Sequence, residues 1–394
     1  MKKSAKGSGT IRKKTVTRNG KPYTYWEARV TTGRDPGTGK QIQRSFTGKT
    51  QKEVREKMQE AAVEINQGRY TAPSKMTVGQ WLDIWQRDYL GGVKPRTMES
   101  YKATVKVHIR PAMGAIRMEL LDAPTIQKFY NGLGQPEGGK PGLSPKTVKN
   151  IHGVLHKALQ QAVKLGYLRF NPADACELPR MERKELKPLD DTEISAFLKA
   201  IRGHRFETLF AVTLFTGMRE GEILGLTWDS VDFDLGTIKI SKQLQRERST
   251  GTYHLVSPKN GKGRTITPAS AVIALLRQHR TAQRKQQLLV GPLWENSNFV
   301  FTDEIGRHLS AQTVYLHFKK LAAEIGRPDA RFHDLRHSYA VAAIKSGDDI
   351  KTVQGNLGHA TAAFTLDVYG HVTEQMQQAS AKRMDDFIKS VSNL

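Results

Sequence analysis

The chain has 394 residues, too many for one ordinary core and suited to two or three domains. Its 62 Lys and Arg stand against 38 Asp and Glu, a formal net charge of +24 that makes a polyanion the default partner and a membrane surface the weaker competitor. The single cysteine, Cys176, excludes an intrachain disulfide and a cysteine-cluster zinc site, and no apolar run approaches the roughly 20 residues of a spanning helix. With Met1–Gly7 leading into polar sequence, a reduced, cytoplasmic protein is expected.

Residues 1–72 hold 17 Lys and Arg against 6 Asp and Glu, a basic module in less than a fifth of the length. Gly9–Arg12, Tyr23–Val30 and Gln41–Phe46 read as three short strands, with turns at Asn19-Gly20 and Asp35–Gly39. A helix is predicted from Gln51 to Asn66. Basic residues alternating with aromatics on such a sheet suit a groove of DNA, the alternative being an ordinary sheet with a solvated face.

Ala72-Pro73-Ser74 breaks this pattern, and four helices are expected over 76–180. Thr77 with Gln80 makes a capping box, and Val78, Trp81, Leu82, Trp85 and Tyr89 form one apolar stripe. Pro95 opens a second helix with Tyr101, Val105 and Ile109 inward, and Asp122 caps a third. Ser144-Pro145 starts a fourth that buries Val148, Ile151, Leu155, Leu159 and Ala162. Both tryptophans sit at helical spacing and read as core. Lys94, Arg96, Lys102, Lys106, Lys146 and Lys149 point outward and suit a DNA clamp.

Arg180–Lys187 has no apolar period and precedes Pro188, which marks a linker. Beyond it Asp190 caps a helix carrying Ile194, Phe197, Leu198 and Ile201, a nearly all-apolar helix covers Phe206–Phe215, and Met218–Leu226 continues. Thr237–Lys242, Thr252–Ser257 and Gly263–Pro268 read as a small antiparallel sheet in an otherwise helical domain spanning 187–394. A last helix, Glu374–Ser390, carries Met376, Met384, Phe387 and Ile388; it suits docking on a neighbouring subunit or on its own domain.

The chemistry-bearing residues fall in this last part. Thr216-Gly217-Met218-Arg219-Glu220-Gly221-Glu222 puts an arginine at a helix start with a carboxylate one turn on, an arrangement that suits an anion or a plain salt bridge. Downstream lie Phe332-His333-Asp334-Leu335-Arg336-His337, Leu357-Gly358-His359 and Tyr369. Arginines present paired N–H donors to a phosphoryl group, histidines exchange protons near neutral pH, and a tyrosine can become covalently attached. His333 and His337, four apart, could also chelate zinc, but the intervening glutamate of a zinc protease is missing. A catalytically silent DNA-binding architectural or regulatory protein is the other alternative.

Taken together, Arg219 with Glu222, Lys259, His333, Arg336, Leu357-Gly358-His359 and Tyr369 resemble the active-site set of the tyrosine recombinases, the phage integrase family. The likeness is strong over 187–394. Residues 76–180 resemble the family's SAM-like core-binding domain and 1–72 its arm-type DNA-binding domain, with weaker motifs. The amino-terminal module makes the chain most similar to integrases of conjugative transposons and temperate phages.

The resemblance implies a multidomain α+β enzyme that integrates and excises a mobile element by strand exchange through a 3′-phosphotyrosine, without metal or other cofactor. Tyr369 is the implied nucleophile, while Arg219 and Arg336 grip the phosphate. His333 accepts a proton, Lys259 protonates the leaving oxygen, His359 hydrogen-bonds the phosphate and Glu222 supports the set. Lys262 competes with Lys259 for the hairpin tip, and Tyr339 is the tyrosine to be set apart from Tyr369. The implied partners are double-stranded DNA at core and arm sites, three further copies in a tetramer, and an accessory excision factor, all in the bacterial cytoplasm on the nucleoid.

Overall fold

The computed structural model describes residues 9–18, 21–34, 41–66, 76–136, 138–139, 141–181, 186–247, 250–258, 261–359, 361, 366 and 373–392. The chain divides into two compact units, 1–182 and 183–394, and the division falls inside the charged stretch Arg180–Lys187.

The first unit begins with an antiparallel sheet, β1 (Thr10–Arg18), β2 (Lys21–Arg34) and β3 (Gln41–Gly48) in that order, followed by α1 (Gln51–Asn66). The strands run longer than their apolar alternation predicts because cross-strand pairs such as Thr15 with Thr24 carry the ladder on. One face buries Ala28 and Val30 where α1 packs with Val54. The other face centres on Glu27, whose buried carboxylate accepts from Arg12 Nε and Nη2 at 2.8 and 2.6 Å and pairs with Lys14 and Arg29. One carboxylate therefore fixes three cations on an open sheet face.

The helices of this unit follow their caps. Thr77 and Gln80 exchange the expected reciprocal bonds, 3.2 and 2.9 Å, ahead of α2 (Val78–Asp88). Pro95 starts α3 (Pro95–Thr104), which widens into a π turn at Val105–Ile109 and continues as α4 (Arg110–Met113); the wide turn keeps Val105 and Ile109 buried. Asp122 and Ser144 cap α5 (Ala123–Leu133) and α6 (Pro145–Lys164). Trp81 and Trp85 are core: the Trp81 indole N–H donates to Ala158 O at 2.9 Å, and Trp85 stacks on Tyr101. All six outward lysines and arginines of the stripe are exposed.

The second unit is built around α8 (Glu207–Thr216), which is buried on nearly every side and so needs no polar face. It packs on α7 (Asp191–Ala200), α11 (Ala311–Glu324) and α12 (Phe332–Lys345) through Phe197, Phe210, Phe318 and Phe332, with neighbouring ring centroids 5.8 to 6.1 Å apart. The short α9 (Glu220–Leu224), the long α10 (Ser270–Val290), and α13 (Ile350–Leu357) complete the helices around this core.

The expected antiparallel strands are present but belong to two sheets. β4 (Val231–Asp232), β5 (Thr237–Ile240) and β8 (Arg264–Ile266) form one, order β4-β5-β8; β6 (Gln243–Arg246) and β7 (Tyr253–Val256) form the other. Ile238, Ile240 and Ile266 anchor the first sheet in the core, whereas β6 buries only Leu244. The residues between β7 and β8 thus join two sheets and are not the tip of one hairpin. The last helix, α14 (Thr373–Ser392), leaves Met384, Phe387, Ile388 and Val391 exposed. Among the described residues no helix is long and apolar enough to cross a membrane.

Candidate functional site

Helix α8 stops at Gly217, whose φ of +62° suits glycine, and a Cβ there would lie 2.5 Å from Tyr339 Cδ1 and 2.7 Å from Leu357 Cδ2. The chain turns through Met218 into Arg219, which caps α9 in an extended conformation. The Arg219 backbone N–H donates to Glu222 Oε2 at 2.9 Å and its Nη1 to Glu222 Oε1 at 2.7 Å. A short helix start thus aims one guanidinium and satisfies itself with its own carboxylate.

Glu222 is completely buried, which demands more than one cation. Arg264, on β8, supplies the second as a fork: Nη1 to Oε1 at 2.9 Å and Nη2 to Oε2 at 2.7 Å. Burial pushes the Glu222 carboxyl up, but the Arg264 bonds and charge, with those of Arg219, outweigh it and hold it at about 2.

Helix α12 brings the second arginine. Arg336 is 2% exposed and donates from Nη1 to Gly217 O and from Nη2 to Leu357 O, both at 2.6 Å. Helix α13 ends at Gly358, φ +64°, where its last carbonyls would lack helical partners. Three arginines take three consecutive ones: Arg264 Nε binds Asn356 O at 2.6 Å, Arg336 binds Leu357 O, and Arg219 Nη2 binds Gly358 O at 3.2 Å. The negative end of α13 therefore gathers the cations into one cluster.

His359 follows that turn, and His333 and His337 lie one turn apart on α12 with ring centroids 4.8 Å apart. Burial, then the charges of Arg336 and Arg219, push His359 down to about 3. Burial, then His337, Arg336 and Arg219, push His333 down to about 4. The His333 residue itself is exposed, so water screens these neighbours; the direction leaves a neutral imidazole at pH 7.

The structure therefore brings Arg219, Glu222, His333, Arg336 and His359 together. Lys259 and Tyr369 lie outside the described residues. Lys262 is described and exposed, in the connection from β7 to β8. Tyr339 packs beside Gly217 and accepts from Asn356 Nδ2 at 3.1 Å, so its hydroxyl is engaged within the fold. Arg264 is the site residue that the sequence motifs did not single out; it lies 42 positions from Glu222 on the short Arg-Thr-Ile strand, and no local signal links the two.

Residues 187–376 match the phage integrase family and residues 77–134 the SAM-like amino-terminal domain of phage integrases. A protein named tyrosine recombinase XerC-like, from Caldanaerobacter subterraneus subsp. tengcongensis, is 30% identical over 394 residues, covering 95% of this chain and 99% of that protein. The chain belongs to the tyrosine recombinases. It is thus an enzyme of site-specific DNA cleavage and rejoining.

This recombinase is also similar to the ICEBs1 integrase of Bacillus subtilis, 25% identical, with 92% of this chain and 97% of that one covered. Its fold matches the Tn1549 transposon integrase, solved in complex with a circular intermediate DNA, at a TM-score of 0.66 and 22% identity, covering 78% of this chain and 99% of that one. A lambda integrase tetramer bound to a Holliday junction matches at a TM-score of 0.52 and 20% identity, covering 89% and 94%.

Proposed function

We propose that this recombinase integrates and excises a mobile element, cutting one strand at a time through a covalent 3′-phosphotyrosine on Tyr369. What supports this most is the convergence of Arg219 and Arg336 on the Leu357-Gly358 turn, with the neutral imidazoles of His333 and His359 beside them. Two fixed guanidiniums oppose the charge that grows on the non-bridging oxygens as phosphorus becomes pentacoordinate. Arg219 keeps 28% of its side chain open and meets the phosphate directly; Arg336, 2% exposed and held on Gly217 O and Leu357 O, adds its fixed positive charge beside the same turn.

The step balances within the chain and the DNA. The Tyr369 phenol oxygen bonds to phosphorus as its proton passes to His333; the bond to the 5′ oxygen breaks, and that oxygen takes a proton from Lys259. A free phenol titrates near 10, so the cationic surroundings and a neutral acceptor are what make it a nucleophile. The bond energy stays in the phosphotyrosine, and the reverse attack by a 5′ hydroxyl of the partner strand rejoins the DNA.

The basic sheet 1–72 would bind arm sites, the helices of 76–180 and the catalytic part 187–394 the core site. The Tn1549 and lambda integrases were solved on DNA, the latter as a tetramer. By extension this recombinase would assemble as a tetramer, with the bare apolar residues of α14 seated on a neighbouring copy, in the bacterial cytoplasm. Direction would be set by an accessory excision factor.

A nicked duplex carrying the element's own junction sequence tests the proposal. The wild type should give a covalent adduct unaffected by EDTA, and Tyr369→Phe should abolish it while DNA binding persists. An adduct that survives in Tyr369→Phe, or cleavage lost in EDTA, would overturn it.

A further inference from the structure

We propose that Arg264 is a positioning residue for cleavage, setting the charge and aim of Arg219 and the turn that presents His359. This inference rests on the functional reading above. Arg264 itself is not a phosphate ligand. Its fork is spent on Glu222, its Nε on Asn356 O, and only 11% of its side chain is open, against 28% for Arg219.

The first consequence is electrostatic. Each Glu222 oxygen accepts one bond from each arginine: Oε1 from Nη1 of both, Oε2 from the Arg219 N–H and Arg264 Nη2. With Arg219 as sole partner, the buried anion would cancel the cation that a phosphate is meant to meet. With Arg264 the trio carries net positive charge, and its open side is Arg219. The saturated carboxylate also leaves Arg219 one place to rest.

The second consequence is steric. Arg264 sits on β8, held in the core sheet by the pairs Ile238 with Ile266 and Ile240 with Arg264. From that rigid strand it spans to the end of α13, where its Cδ and Nη1 lie 3.0 Å from the position of a Cβ on Gly358. It fills the space that the left-handed glycine leaves, one residue before His359. A lysine carries one nitrogen and cannot serve the carboxylate fork and the Asn356 carbonyl together.

The test uses the full chain with the nicked junction duplex, and compares wild type, Arg264→Lys, Arg264→Met and Arg264→Met with Glu222→Gln. Duplex affinity, the single-turnover rate of adduct formation and the thermal melt are measured for each. Arg264→Lys should bind the duplex about as well as wild type and form adduct about 100-fold more slowly. Adding Glu222→Gln to Arg264→Met should return about tenfold of the lost rate, because it removes the anion that Arg264 had balanced. Adduct formation by folded Arg264→Lys at the wild-type rate would overturn the inference, as would a loss that follows the melt and gains nothing from Glu222→Gln. If Arg264→Met does not fold, Arg264→Lys and the double variant decide. A wild type that forms no adduct sinks the functional reading along with this one, so the two failures are told apart.

Discussion

Arg336 illustrates how much of this site is built from main-chain oxygen. A guanidinium almost wholly inside the protein is held by two carbonyls on different helices, Gly217 O and Leu357 O, and so ties α8 to α13 through α12. Arg336→Lys keeps the charge but replaces two nitrogens, each aimed at its own carbonyl, by one ammonium on a differently shaped stem, and a buried carbonyl left bare costs about 1–3 kcal/mol. The expected result is a lower melting temperature together with lost adduct formation. The histidines set a pH signature of their own. Both bind a proton more weakly in the folded chain than the ordinary value of about 6.5: the half-buried His359 is pushed down to about 3, and the exposed His333 moves in the same direction but is screened by water and contributes less. Below about 6.5 the unfolded chain takes up protons that the folded one refuses, so stability is level above that pH and declines as pH falls toward those lower values. Thermal melts of DNA-free protein between pH 8 and 4 should show this decline, and His359→Asn should flatten it. A melting temperature constant over that range would contradict a neutral His359 beside the arginines. Glu222, at about 2, adds its own loss only in stronger acid.

At the scale of elements, α2 and α8 carry the two cores. Trp81 fills the helical unit with its indole N–H paired, and Trp81→Ala is expected to cost about 3–5 kcal/mol, readable by chemical denaturation of the intact chain. Gly217→Ala should cost about 2 kcal/mol from its positive φ, with a clash on Tyr339 besides, and should reduce cleavage more than duplex binding. Caps were legible in the sequence because they are local: Thr77 with Gln80, Asp122, Ser144 and Asp190 each speak to residues three positions away. The stripe of α6 and the unbroken apolar run of α8 were legible for the same reason, one as a face and the other as a wholly buried helix. Strand pairing was not. The Gln-Leu-Gln-Arg of β6 has one buried side chain and no alternation to announce it, and the partner that draws β8 away from β7 lies on β5. The π turn in the α3–α4 segment does leave a mark, Pro111, whose ring and missing N–H disturb the helical ladder just upstream, but the apolar spacing alone does not announce it. Among the candidate site residues, the grouping of Arg219, Glu222, His333, Arg336 and His359 was expected from the resemblance to the tyrosine recombinases, since the Arg219-Glu222 run alone reads equally as a plain salt bridge. Arg264 reaches Glu222 across 42 positions, and no motif in either segment names the other.

For the whole molecule, charge is the dominant property. A net +24 on 394 residues should make duplex affinity fall about 1,000-fold or more between 50 and 200 mM salt, measured by fluorescence titration. Removing residues 1–72 should flatten the dependence on arm-site DNA. An unchanged slope would place that sheet off the DNA. The division at 182 and 183 keeps the Trp81 core in one unit and the arginine cluster in the other, so damage to either is expected to register separately in binding and in cleavage. Gly217 and Gly358 have a further consequence, for genetics. Each sits at a positive φ with a neighbour against the place of its missing side chain, Tyr339 in one case and Arg264 in the other. A selection for elements that can no longer move should therefore recover lesions at these two glycines beside those at the arginines. A mutation map drawn without the fold would count both as substrate contacts, although neither has a side chain to offer.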